Sequence, residues 1–288
     1  MSGPGKFDVI APGPEWARAS GPFRRVLSAN SFETSTVSRY PAWLTLVAAV
    51  CAFAVLSCNQ HAAPPADSLQ VDVIAHLWWW EFRYPGTTIV TADEMHVPAG
   101  RSVWLSLHSA NDPEILAVPD RAHGFYLPNV GMVEVIPNAV SHMLLRIDRP
   151  GRYPGQCSEF CGAGHTRMRF VVIVDPPDRF AAWEHGQEQI AVMPRGDGRA
   201  ARGARLFASG LCTTCHAVAG VSKGSFGPNL THFGSRSRLA GASFDNTPAN
   251  LKKWISNPGK LKPQVHMPAL GLRGTDLDDM AAYLESLK

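Results

Sequence analysis

Three things are scarce in this sequence: spare cysteines, long apolar runs and a decisive excess of charge. Six cysteines occur in 288 residues. Cys51 and Cys58 lie in or beside an apolar leader, Cys157 and Cys161 sit four apart, and Cys212 and Cys215 sit three apart. None is left for a disulfide framework, and short clustered spacings point instead to a bound metal or an attached cofactor. The one long apolar run, residues 42–57 ("AWLTLVAAVCAFAVLS"), falls short of the ~20 residues that a membrane-spanning helix needs. It is nearer the roughly 7–15 apolar residues of a signal-peptide core. A net charge of +3 excludes little until it is divided by region. No internal repeat is present.

What is there begins with that leader. Residues 1–41 are polar and dotted with Pro and Gly, and read as a tail. Arg24, Arg25 and Arg39 precede the apolar run and no basic residue follows closely, so the rest of the chain is expected on the exported, periplasmic side of a bacterial inner membrane. "VLSC" resembles a lipoprotein cleavage box, which would place a lipid on Cys58. A single tilted anchor helix over residues 42–58, with Cys58 unmodified, is the other reading.

From residue 66 the pattern changes to short runs rich in Val, Trp and alternating positions: "LQVDVIAHLWWWEFRY" (69–84), "EMHVPAG", "RSVWLSLHSA", "MVEVIP", "AVSHMLLRI" and "RMRFVVIV". Turn residues separate them, which predicts a β-sandwich or small barrel over 66–176. A helical linker is expected over 177–197, with its helix at 180–193. Residues 198–288 read as a small, mainly α domain built on "RAARGARLFASG", "PANLKKWISN" and "DLDDMAAYLESLK". Acidic side chains outnumber basic ones between 66 and 176, whereas Lys and Arg outnumber Asp and Glu roughly two to one between 195 and 288. A basic second domain is therefore expected to dock on an acidic first one.

"GLCTTCHAV" carries Cys-x-x-Cys-His, the attachment motif for c-type haem: Cys212 and Cys215 would form thioethers and His216 would supply an axial nitrogen. A redox dithiol or half a zinc site would need a βαβ setting or a second Cys pair, and this domain has neither. Met267, in "KPQVHMPAL", is the expected second axial ligand, with His266 beside it as the competitor; a thioether raises the haem potential. Met280 falls within a helical pattern and reads as core. Residues 198–288 resemble a class I cytochrome c. The resemblance implies that the Pro228 carbonyl of "GPNL" fixes the His216 ring, and that Phe207, Leu211, Trp254 and Tyr283 wall the haem.

"GQCSEFCGAGHTRM" (155–168) combines thiol, imidazole and thioether, the soft donors that select copper. Cys157 and Cys161 on one loop can face one small volume and bridge two ions, each completed by an imidazole and a weak ligand. Zinc would not need Met168, and a single copper would not need the second Cys. His165 and Met168 lie on the loop, and one more imidazole must come from elsewhere. The loop resembles the binuclear CuA loop of subunit II of haem–copper cytochrome c oxidases, C-S-E-x-C-G-x-x-H-x-x-M. That resemblance covers about 69–176 and implies a cupredoxin, a Greek-key sandwich with the metal loop between two late strands. It implies His123 of "HGFYLP" as the remaining imidazole, the Glu159 carbonyl as a ligand and the Glu159 side chain directed to a Mg site shared with subunit I. In "WWWEFRYP", Trp78 stands where electrons arrive. His76, His96, His108 and His142 lie outside these motifs and read as ordinary packed or surface histidines.

Leu77 stands where the family usually has Gln, and "VGMVEVIPN" offers only Glu134 where it often has Lys and Asp. "NDPEILAVPDRA" is longer than usual, and one apolar segment stands in place of two membrane helices. With a cytochrome following, the implied function is electron transfer. An external cytochrome donor would reduce the chain's own haem c, which would feed CuA. CuA would pass electrons to subunit I, where oxygen reduction and proton translocation belong to the oxidase assembly. Alternatives are the electron-receiving subunit of a CuA-type nitric oxide reductase or a stand-alone lipid-anchored carrier. No nucleic-acid role is implied.

Overall fold

The computed structural model describes residues 63–110, 121–190 and 192–288. The tail, the 42–58 segment with Cys58, and most of "NDPEILAVPDRA" lie outside the described residues. Among the described residues no helix is long and apolar enough to cross a membrane.

Two five-stranded sheets form the first domain. One runs β3 (Val90–Ala92), β2 (Trp79–Arg83), β1 (Leu69–His76), β5 (Val103–Ser109) and β8 (Ser141–Leu145). The other runs β4 (Glu94–Pro98), β10 (Arg169–Asp175), β9 (Gly151–Cys157), β6 (His123–Leu127) and β7 (Gly131–Val135). The β1–β5 and β4–β10 pairs are parallel, and the other pairs are antiparallel. Alternation along the strands supplies a core from both sheets. Val71, Val73 and Ala75 of β1 share one core with Phe170, Val172 and Val174 of β10, and Trp80, Phe125 and Phe170 form an aromatic centre with ring centroids 4.2–5.6 Å apart.

The β-rich run 69–84 forms two strands. β1 turns at Leu77–Trp78 and pairs antiparallel with β2, His76 opposite Trp79. Apolar content does not reveal that turn, because both halves are buried. The expected helix at 180–193 also shifts: α1 spans Pro177–Glu188. Pro177 suits the first helical turn, where its missing N–H costs nothing. Ile190 and Val192 lie beyond the helix end, 69% and 84% exposed, with no core to face. This helix packs on the sandwich. Phe180 is buried, and Trp183 stacks on His96 at 4.3 Å. His96 in turn reaches Asp175 at 2.7 Å and Glu94 at 3.4 Å. Burial opposes its charged form, but these two carboxylates hold its pKa above the ordinary value.

The second domain has its own core. α2 (Arg199–Ser209) crosses α6 (Gly274–Ser286), and between them come α3 (Cys212–Cys215), α4 (Pro248–Ser256), α5 (Pro258–Leu261) and two small hairpins, β11–β12 (Ala217–Val218, Ser222–Lys223) and β13–β14 (Arg238–Leu239, Phe244–Asp245). Met280 is buried in this core. Arg202 grips Asp279 with two nitrogens, at 2.6 and 2.8 Å. Gly203 allows the helix crossing: a Cβ there would lie 2.0 Å from the Asp279 carbonyl oxygen.

In an open helix Gly→Ala stabilises by about 0.5–1 kcal/mol, and Gly186→Ala in α1, with open space around it, should do so. Gly203→Ala should instead destabilise the second domain by about 1–3 kcal/mol through overpacking. Denaturant unfolding of both variants checks the opposite signs.

Candidate metal and cofactor sites

The loop between β9 and β10 brings the soft donors together. Cys157 ends β9, and its N–H donates to the Met168 carbonyl at 2.9 Å, closing the loop. β6 pairs with β9, which sets His123, the first residue of β6, beside Cys157. The approach is close at Gly124, where a Cβ would lie 2.2 Å from Ser158 Oγ.

Within this pocket the Cys157 and Cys161 sulfurs are 3.7 Å apart, far beyond the ~2.05 Å of a disulfide bond. Each sulfur has its own imidazole: His123 Nδ1 lies 3.8 Å from Cys157 Sγ, and His165 Nδ1 lies 3.7 Å from Cys161 Sγ. A weak donor accompanies each half. The Glu159 carbonyl oxygen is 3.2 Å from Cys157 Sγ, and Met168 Sδ is 3.9 Å from Cys161 Sγ. His123, Cys157, Cys161 and Met168 are all buried, whereas the Glu159 side chain points to the surface. The two thiols titrate unequally. Cys161 and His123 hold Cys157 down at about 4, and the neighbouring Cys157 and burial push Cys161 above the ordinary thiol value. One proton is thus easily lost and the second is retained. This donor set fits soft ions that displace both protons. It divides into two halves of one imidazole and one weak donor, with the thiols between them.

Trp78 closes the pocket. Its indole Nε1–H donates to the Cys161 carbonyl at 2.9 Å, and the ring lies against Gly162 and Gly164. A Cβ on Gly164 would come within 2.3 Å of the Trp78 ring. Trp78 is 7% exposed.

In the second domain Cys212 and Cys215 sit on the single turn of α3, both half-buried and unpaired with each other. His216 Nδ1 lies 2.8 Å from the Pro228 carbonyl oxygen. That contact keeps the proton on Nδ1 and turns the lone pair of Nε2 outward for coordination. Burial holds the His216 pKa below its ordinary value and so favours the neutral ring a ligand requires. The Gly227 backbone passes close over this ring, where a Cβ would meet Cε1 at 2.5 Å. The residues therefore fit a covalently attached haem. Phe207 and Tyr283 are buried side by side, Trp254 is half-buried, and Leu211, on the turn that precedes Cys212, is 68% exposed. Met267 is half-buried in the loop between α5 and α6.

Sequence reasoning missed the residues that join the domains. Asp93 is buried between β3 and β4. Its carboxylate accepts from Trp80 N at 2.9 Å and, across the boundary, from Gly241 N at 3.0 Å. Glu94 accepts from Ser237 N and Oγ at 3.0 and 2.6 Å. Lys262, 2% exposed, donates to the Trp78 carbonyl at 2.5 Å. The expected docking of a basic domain on an acidic one thus has a physical counterpart in Asp93 and Glu94 against Lys262 and Arg236. The regional charge split was the available signal, but it named no residue. His76 stacks on Trp79 and His142 on Trp104, so neither they nor His96 join the donor cluster.

Comparison with known proteins gives these two units their names. Residues 69–174 match the family described as cytochrome c oxidase subunit II, periplasmic domain, and residues 200–288 match cytochrome c. The chain thus has a β-sandwich unit of the oxidase subunit II kind followed by a unit of the cytochrome c kind. More particularly, it joins a cytochrome c oxidase subunit II periplasmic domain to a cytochrome c domain. Cytochrome c oxidase subunit 2 of Alkalihalophilus pseudofirmus is 32% identical over 224 residues, covering 77% of this chain and 62% of that protein. The Bacillus sp. (strain PS3) protein of the same name is 31% identical over 235 residues, 77% of this chain and 63% of that one. The chain therefore spans less than two thirds of these relatives. Among solved structures, the periplasmic domain of subunit II of cytochrome oxidase from Bradyrhizobium japonicum aligns with 23% identity and a TM-score of 0.38, over 43% of this chain and 95% of that one.

Removing the space that Trp78 occupies should loosen the donor loop. Gly164→Ala should speed loss of bound copper to a chelator by about 10–100-fold, the usual scale for a residue that orients ligands. Gly186→Ala should leave the loss rate unchanged. Chelator competition followed optically checks both.

Proposed function

We propose that this chain is the electron-transfer subunit II of a haem–copper terminal oxidase, taking electrons from a cytochrome donor and delivering them to subunit I for oxygen reduction. The carrying observation is the pair of thiols 3.7 Å apart, each with its own imidazole. In this reading His123, Cys157, the Glu159 carbonyl, Cys161, His165 and Met168 hold a binuclear CuA centre. Cys212 and Cys215 hold one haem c covalently, and His216 and Met267 are its axial ligands. When bound, each group takes up and releases one electron.

The chain's own residues do the rest. Burial of Cys157, Cys161 and Met168 excludes water from the sulfurs and lowers the local dielectric. Splitting the donors into two similar halves spreads charge over two ions, so each ligand moves less when the charge changes. Pro228 orients His216, and Trp78 braces the copper loop. The exposed Glu159 carboxylate is available for a Mg site against subunit I. Residues 42–58 serve as the attachment to the membrane, either as an anchor or through a lipid on Cys58, with both metal domains in the periplasm.

Copper loading and electron paramagnetic resonance test the site. The oxidised protein should show hyperfine structure from one unpaired electron shared by two equivalent copper nuclei, and Cys161→Ser should abolish it. The pattern of a single copper ion in the unmutated chain would contradict the assignment.

A further inference from the structure

The two domains and α1 enclose an open-mouthed cavity of ≈ 240 Å³, mouth included. Its walls carry Glu94 and His96 of β4, Trp183 of α1, and His232, Ser235 and Arg236 of the second domain. His232 is 7% exposed, and neither of its ring nitrogens has a hydrogen-bond partner among the described residues. Buried polar atoms are as a rule partnered, so an imidazole left in this state on a cavity wall calls for a ligand.

The facing wall is arranged like half of a metal site. Asp175 Oδ2 lies 2.7 Å from His96 Nδ1, which keeps a proton on that nitrogen and commits Nε2 to the Glu94 side. Trp183, stacked at 4.3 Å with the planes 10° apart, fixes the ring. A carboxylate behind an imidazole is how metal-binding histidines are oriented. His96 Nε2 and Glu94 Oε1 stand 3.4 Å apart. That is long for a hydrogen bond, but two donors each ~2.1 Å from a tetrahedral zinc ion lie about 3.4 Å from one another. Ser237 N and Oγ hold the other oxygen, Oε2, and so leave Oε1 for the ion. Arg236, the cation on the second domain's wall, donates to the Asn229 carbonyl. Among the described residues only His123, Cys157 and Cys161 already bring three such donors within 4.8 Å of one another, so His232 must rotate its unheld ring to reach the pair.

We infer that Glu94, His96 and His232 form a site for a divalent ion of the zinc class that bridges the two domains, with water as the fourth ligand. The ion takes the place of the proton on His96 Nε2, which passes to solvent. An ion held there ties β4 to the segment around His232 and so fastens the second domain to the sandwich. The site shares no residue with the two donor clusters described above and does not rest on the function proposed for them.

Equilibrium dialysis of the copper- and haem-loaded full chain against zinc, followed by metal analysis, tests this; bound copper keeps zinc off Cys157 and Cys161. One zinc ion per chain should bind. Asp175→Asn should weaken binding by about 10–100-fold, the scale for a residue that orients a ligand, and His96→Ala and His232→Ala should weaken it at least as much. His142→Ala, which alters a histidine stacked on Trp104, should leave it unchanged. X-ray absorption at the zinc edge of the unmutated, copper-loaded chain gives a readout free of any folding defect: nitrogen and oxygen ligands, imidazoles among them, and no sulfur. Absence of bound zinc, a sulfur ligand in that sample, or binding unchanged in His96→Ala or His232→Ala overturns the site. A chain that took up neither copper nor haem would defeat the proposed function, and the zinc lost on His96→Ala would still report this site.

Discussion

Two thiols 3.7 Å apart in an apolar pocket are an electrostatic problem that the surrounding structure is arranged around. Both cannot ionise there alone: losing the first proton raises the cost of losing the second, as the opposite shifts of Cys157 and Cys161 show. Bound cations remove that repulsion. Around the pair, β6 contributes His123, β9 contributes Cys157, and the loop returns through His165 and Met168 into β10. The aromatic centre of Trp80, Phe125 and Phe170 fixes those strands from below. Gly124, Gly162 and Gly164 are small because another group already fills the space a side chain would need.

The same economy governs the boundary between the domains. Burial pushes Asp93 up and Lys262 down to about 8, each opposed by the other's charge. Such a pair contributes little net stability, because desolvation offsets the attraction, but breaking it leaves an uncompensated buried charge. Its value is positional. Asp93 also holds Trp80 N and Gly241 N, and Lys262 holds the Trp78 carbonyl, so two buried groups of opposite charge set the register between the donor loop and the cytochrome domain.

Much of this was legible in the sequence because the chemistry is local. Cys157, Cys161, His165 and Met168 share one loop, and Cys212, Cys215 and His216 share one turn, so spacing alone announced both clusters. His123 came only by family resemblance, since nothing in the sequence says that β6 will lie beside β9. The partnership of Asp93 with Gly241 and Lys262 was invisible for the same reason, since Asp93 lies well over a hundred residues from both. The split of the 69–84 run was hidden because both strands are buried, and alternation there is blurred by Trp residues that face either side. The end of α1 was misplaced because Ile190 and Val192 look like a core face and are in fact exposed.

In the proposed function both centres belong to one electron-transfer unit whose geometry is set within the chain. Flash reduction of the haem in the isolated, copper- and haem-loaded chain tests it most directly. Copper reduction should follow with a first-order rate that does not change on dilution. A rate that falls in proportion to protein concentration would mean that electrons pass between molecules, and would contradict the account.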